Sequence, residues 1–160
     1  MLSVTEMQFS PLHDENSELA GAVYETIGKL TSLLAHSSMH SHFTVKDIAD
    51  ILMPPIILNQ YRIYSANNAT AVGFVCWGMF SPDVERKLVH SKSVLELSDW
   101  TSGNQPFVTD FIAPFGHAKM IVRDLKTGIF ADHVVKALRY ESPGNPRRSV
   151  SRFYGVNALK

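Results

Sequence analysis
The sequence predicts an α+β fold: a mainly antiparallel sheet flanked by helices. Two observations carry this. The apolar pattern runs in the order helix, helix, hairpin, helix, strand, helix, strand, which is not the strict alternation of a parallel α/β sheet. The 160 residues are also 45% hydrophobic and 19% charged, so the chain can build a core at a length suited to one domain.

Each element has a local reason. Asp14, Asn16 and Ser17 are alternative caps for a first helix. Leu19, Val23, Ile27, Leu30 and Leu34 then form an apolar stripe over roughly 17–35. Ala35–His42 is small and polar and reads as a loop. Thr44 caps a second helix carrying Val45, Ile48, Ile51 and Leu52, and Pro54-Pro55 is expected to end it. A hairpin follows, with strands Asn59–Ser65 and Ala71–Met79 joined at Asn67-Asn68. Ser81-Pro82-Asp83 starts a helix running to about His90, with proline at the first helical position and acid in the first turn. Ser98–Gly103 reads as a tight turn with an aromatic anchor, and Phe107–Ile112 as a buried strand stopped by Pro114 and Gly116. Residues 117–126 read as helix and His133–Tyr140 as strand; Ser142–Pro146 is a break before a last strand, Ser149–Tyr154.

Composition narrows the function. Lysine plus arginine and aspartate plus glutamate both number 15, which argues against a general nucleic-acid binder. A single cysteine, Cys76, excludes an internal disulfide framework and a cysteine-rich zinc site. The longest apolar stretch, Ile51–Leu58, holds two prolines and is far short of the roughly 20 residues of a membrane span. Met1–Ser10 has no basic start and no long apolar run, so the expectation is a soluble, cytoplasmic protein. The charge is uneven. Residues 1–118 carry 6 basic and 12 acidic side chains, and residues 119–160 carry 9 basic and 3 acidic. Such asymmetry marks either a docking surface for an acidic partner or, more plainly, solvated helix and strand ends.

Few side chains stand out as chemistry. His36, His40 and His42 crowd one serine-rich loop, but no partner has metal-ligand spacing, so solvated histidines are the plainer reading. The exception is a histidine placed beside a carboxylate as a general base. Asp110 lies in the apolar run Phe107–Phe115 and has two level readings. It is buried and paired, or alternation puts it on a wet strand face. Cys76, between Val75 and Trp77, reads as core rather than as a catalytic thiol. No P-loop, nucleophile elbow or dinucleotide-binding glycine motif occurs.

Four segments together resemble the toxin-activating lysine acyltransferases, the hemolysin C type proteins that activate RTX toxins. The strongest is Asp99-Trp-Thr-Ser-Gly103 followed by Asp110-Phe-Ile-Ala-Pro-Phe-Gly116. The others are Asn59-Gln-Tyr61 with the Cys76-Trp77 pair beyond it, Ser37-Ser-Met-His40, and Val150-Ser-Arg-Phe-Tyr-Gly155. The resemblance covers roughly residues 27–156 and leaves the first 25 as an extension without an assigned role. It implies a GNAT-like acyltransferase fold, a tendency to dimerise, and transfer of a fatty acyl chain from acyl-carrier protein to the ε-amine of internal lysines of an RTX protoxin. It places the family's histidine at His40, its aspartate at Asp110 and its serine at Ser37. No bound cofactor and no metal are implied; the donor is the carrier's thioester.

The implied chemistry suits these residues. Only about one lysine in 10³–10⁴ is neutral at pH 7, so attack on a thioester needs a base. His40 can be that base, with Asp110 fixing its tautomer, or it can itself be acylated first. Phe107, Phe111, Ile112 and Phe115 are candidates for an acyl groove, with core packing the plainer role for most. An acidic carrier would dock on the basic C-terminal quarter, with Arg147, Arg148 and Arg152 as candidates. Two rival readings remain. One is a GNAT-type small-molecule N-acyltransferase, against which the missing Arg/Gln-x-x-Gly-x-Gly/Ala pyrophosphate loop counts. The other is a non-catalytic toxin chaperone, against which His40 and Asp110 count.

Overall fold
The structure is a computed structural model that describes residues 15–67, 69–91, 93–141 and 148–158. The Asp14 cap, Asn68 of the hairpin turn, the Ser142–Pro146 break and Arg147 lie outside the described residues.

Helix α1 spans Glu15–His36. Its apolar stripe is effective only toward the C-terminal end. Leu30, Leu33 and Leu34 are buried, whereas Leu19 is 69% exposed. Burial of a leucine stabilises by about 1.5–3 kcal/mol, so the last two turns hold α1 on the protein. Thr44 caps α2 (Val45–Asp47) through a reciprocal box: its side chain accepts from the Asp47 N–H, and Asp47 accepts from the Thr44 N–H at 2.7 Å.

The prolines do not end this helix, contrary to the sequence expectation. A π-helical stretch, Ile48–Leu52, leads into α3 (Met53–Ile57), with proline in the first turn of α3. A proline lacks the N–H that an α-helix would need there, and the wider turn accommodates it where first-turn donors are unpaired anyway. The helix stops at Asn59, whose φ is 54°. The Asn59 N–H donates to the Ile56 carbonyl and the Gln60 N–H to the Pro55 carbonyl, a Schellman termination in which asparagine takes the left-handed residue.

The sheet has five strands in sequence order: β1 (Tyr61–Ser65), β2 (Ala71–Phe80), β3 (Gln105–Ile112), β4 (Val134–Tyr140) and β5 (Arg148–Tyr154). All neighbours are antiparallel except β3 and β4, which run parallel. Helix α4 (Pro82–His90) is capped by Ser81 as expected, and α5 is Ala118–Thr127. The Ser98–Gly103 segment is a 3₁₀ turn, Leu97–Thr101, with Trp100 buried. Among the described residues no helix is long and apolar enough to cross a membrane.

Both faces of the sheet are covered. Phe74, Cys76 and Ile112 pack with the α1 and α3 leucines and isoleucines on one face, and Val75, Trp77 and Val108 pack with Ile121 and Leu125 of α5 on the other. A smaller cluster joins Phe80, Trp100 and Phe107 to Val84 of α4. This is the GNAT-like arrangement that the resemblance implies.

Two irregularities interrupt the middle of the sheet. The β2–β3 register shifts between Cys76 and Trp77: Cys76 pairs with Asp110, Trp77 with Val108, and Thr109 is the extra residue. Cross-strand partners share a face, so the bulge puts Asp110 on the α1 side and Val108 on the α5 side, although they are two apart. The β3–β4 pairing is also short. It consists of Phe107–Lys136 and Val108–Ala137, after which the strands part.

Candidate active site
The parting strands open a cleft of about 680 Å³. Its apolar walls include Val108 and Phe111 of β3, Val122 and Leu125 of α5, and Phe153 of β5. On the far side of the gap it reaches Met39, His40 and Asp110. The cleft therefore passes through the sheet from the α5 face to the α1 face.

His40 is held by the tight turns after α1. The Ser37 N–H donates to the Leu34 carbonyl and the His40 N–H to the Ser37 carbonyl, at 3.1 and 3.0 Å. The ring packs edge-on against Phe43, and Nδ1 lies 2.8 Å from Ser37 Oγ. The opposite nitrogen, Nε2, is 3.6 Å from Asp110 Oδ1. All three residues are buried, with His40 5% and Asp110 3% exposed.

This geometry divides the work differently from the sequence expectation. A separation of 3.6 Å is an ion-pair distance but not a hydrogen bond. The hydrogen bond to the ring is that of Ser37 at Nδ1, and Asp110 faces the other nitrogen. With Ser37 Oγ accepting from Nδ1–H, Nε2 carries the lone pair. Neither carboxylate oxygen of Asp110 has a hydrogen-bond partner among the described residues. A buried carboxylate in that state is costly, and such cost collects where a ligand supplies the missing partner.

The wet-face reading of Asp110 fails because β3 has no wet face: helices cover both. The core reading of Cys76 holds. It is fully buried against Thr109, and burial, then the Asp110 charge, pushes its thiol well above the ordinary range. The four groove candidates separate. Phe107 and Ile112 are core, Phe111 lines the cleft, and Phe115 is 44% exposed against the His36 ring. Among the described residues no group of three or more His, Cys, Asp or Glu is placed to hold a metal.

Of the docking arginines, Arg152 lines the cleft; Arg148 begins β5, and its side chain is not among those described. Arg139 and Tyr140 of β4 also line the cleft, and sequence reading did not single them out. The signal was the end of the β3–β4 pairing, which no motif encodes.

A buried histidine and carboxylate thus lie at the foot of a cleft between parting strands of a GNAT-like sheet, an arrangement with the base and the apolar space that acyl transfer needs. The comparisons with known proteins agree. The description of the RTX toxin acyltransferase family matches residues 20–154. An uncharacterized Synechocystis protein is 38% identical over 129 residues, 80% of this chain and 88% of that one. The lysine-acyltransferase RtxC of Vibrio cholerae is 30% identical over 68% of this chain and 71% of its own. The protein-lysine myristoyltransferase HlyC of Escherichia coli is 30% identical over 82% of this chain and 74% of its own. The chain belongs to the RTX toxin acyltransferase family.

Proposed function
We propose that the protein transfers a fatty acyl chain from an acyl-carrier thioester to the ε-amine of internal lysines of an RTX protoxin, and that it does so in the cytoplasm as a homodimer. The observation that carries this reading is the buried His40–Asp110 pair facing the cleft, with the carboxylate oxygens unpartnered among the described residues.

The acceptor arrives as an ammonium and pairs with Asp110. His40 Nε2 takes one proton, while Ser37 holds Nδ1–H. The neutral amine attacks the thioester carbonyl, so a C–N bond forms and the C–S bond breaks. The carrier thiolate leaves with the proton from His40, and the second proton of the attacking nitrogen passes to the regenerated His40 and on to solvent, so ammonium and thioester give amide, thiol and one released proton without a co-reactant. The apolar cleft suits the acyl chain. Arg139 and Arg152 bring positive charge to its lining, which suits an acidic carrier.

The test is the mass of the partner toxin, co-produced with the wild-type protein or with His40→Ala. A fatty-acyl gain on internal lysines is expected with the wild type and not with the variant. A well-folded toxin unmodified by either would favour the chaperone reading.

A further inference from the structure
A second, narrower cavity ends at the same carboxylate. It measures about 90 Å³ and lies between the π-helical stretch, with Asp50 and Ile51, and the segment Ser93–Leu95 after α4. Thr109 and Asp110 line both cavities. We propose that this narrow cavity is the acceptor port: it takes the side chain of a protein lysine, aliphatic stem among apolar walls and ammonium on Asp110. The proposal rests on the lysine-acylation reading above and names how the acceptor reaches the site.

Size sorts the two substrates. A water needs about 10–15 Å³ of such space, so the narrow cavity holds on the order of six waters, room for four methylenes and an ammonium but not for a fatty chain. The donor is left with the larger cleft. Chemistry sorts them too. Ile51, Leu95, Trp100 and Leu138 supply an apolar lining suited to a lysine stem. At its inner end the Asp110 side chain is 1% exposed, with both oxygens lacking a hydrogen-bond partner among the described residues. At its outer end stands a second carboxylate, Asp50, 26% exposed. Asp50 is held by Lys46 at 2.7 Å, but Lys46 is largely exposed, and a pair of that kind contributes little and exchanges readily for an incoming ammonium. Val94, exposed at the rim, offers apolar surface to the acceptor's backbone. Amine and thioester then approach Asp110 and His40 from different sides, and both substrates can be bound at once.

The test measures initial rates of the full-length protein with myristoyl-acyl-carrier protein and a protoxin segment containing an acceptor lysine, each varied in turn. Leu95→Trp fills the cavity, and Asp50→Lys reverses the charge at its mouth. Leu95→Trp is expected to raise the KM for the protoxin segment about tenfold or more, and Asp50→Lys several-fold, with the donor KM unchanged in both. An unchanged acceptor KM, or a donor KM that rises in step, would overturn the port. Asp50→Lys, on a partly exposed side chain, decides the matter should the tryptophan not fold. Absence of transfer by the wild type would instead overturn the lysine-acylation reading, and the port with it.

Discussion
At the scale of single residues, the proposed catalytic role of Asp110 sets reactivity against stability. Asp110 is buried without a hydrogen bond among the described residues, and its counter-charge at 3.6 Å exists only when His40 is protonated. Removing that charge should help the fold and harm the chemistry. Asp110→Asn is therefore expected to lower acyl transfer by about 10²-fold or more and to raise the melting temperature by about 2–4 °C for each kcal/mol regained. Thermal unfolding beside the rate assay checks both; a lowered melting temperature would mean the carboxylate is compensated. Sequence reading reached His40 and Asp110 only through the family motifs. Spacing alone offered a solvated loop histidine and an undecided aspartate. Several other motif residues prove structural. Asn59 terminates α3, and Asp99 accepts from Lys87 and from the Glu96 N–H. A Cβ on Gly155 would collide with the carbonyls of Phe130 and Ala131.

At the scale of elements, local rules were legible where one residue decides the outcome. Ser81 before Pro82, and Thr44 three before Asp47, set their helix starts as read. Rules that depend on neighbours were not. Pro54-Pro55 reads as a stop, and the π turn before it turns the pair into a continuation. The join between β1 and α5 makes a testable element. Asp124 accepts from Tyr64 Oη at 2.7 Å and from Arg62 at 2.5 Å. The Tyr64 hydrogen bond, then Arg62, holds the Asp124 carboxyl below its ordinary range, so its contribution is present above that range and is lost as pH falls through the lowered value. Burial, then Asp124, pushes the Tyr64 phenol up to about 12, so its contribution is present below about pH 10 and is lost as pH rises through 12. Tyr64→Phe should cost about 1 kcal/mol at neutral pH and flatten the alkaline limb of the stability profile. Denaturant unfolding across pH measures this; an unaltered alkaline limb would assign that limb to other groups.

At the scale of the whole molecule, the fold was legible as a class and an order of elements, because helices and strands carry different periods. The cleft was not, because it comes from strands that stop pairing rather than from any residue type. The charge asymmetry is clearer in three dimensions: Arg139 and Arg152, both from the basic quarter of the chain, line the cleft's wall. Arg152→Glu should weaken acyl-carrier binding by about tenfold at low salt, with the difference fading near 1 M as charges are screened. Titration calorimetry at two ionic strengths checks this, and a salt-independent loss would point to packing instead. The extra residue at Thr109 has a consequence of its own. A strand read two residues at a time has only two phases, and that residue shifts the end of β3 from one phase to the other. Every point substitution keeps the phase; only removal or addition of a residue changes it. The placement of Asp110 is thus a matter of counting: it depends on how many residues lie between Val108 and Ile112 as well as on which they are.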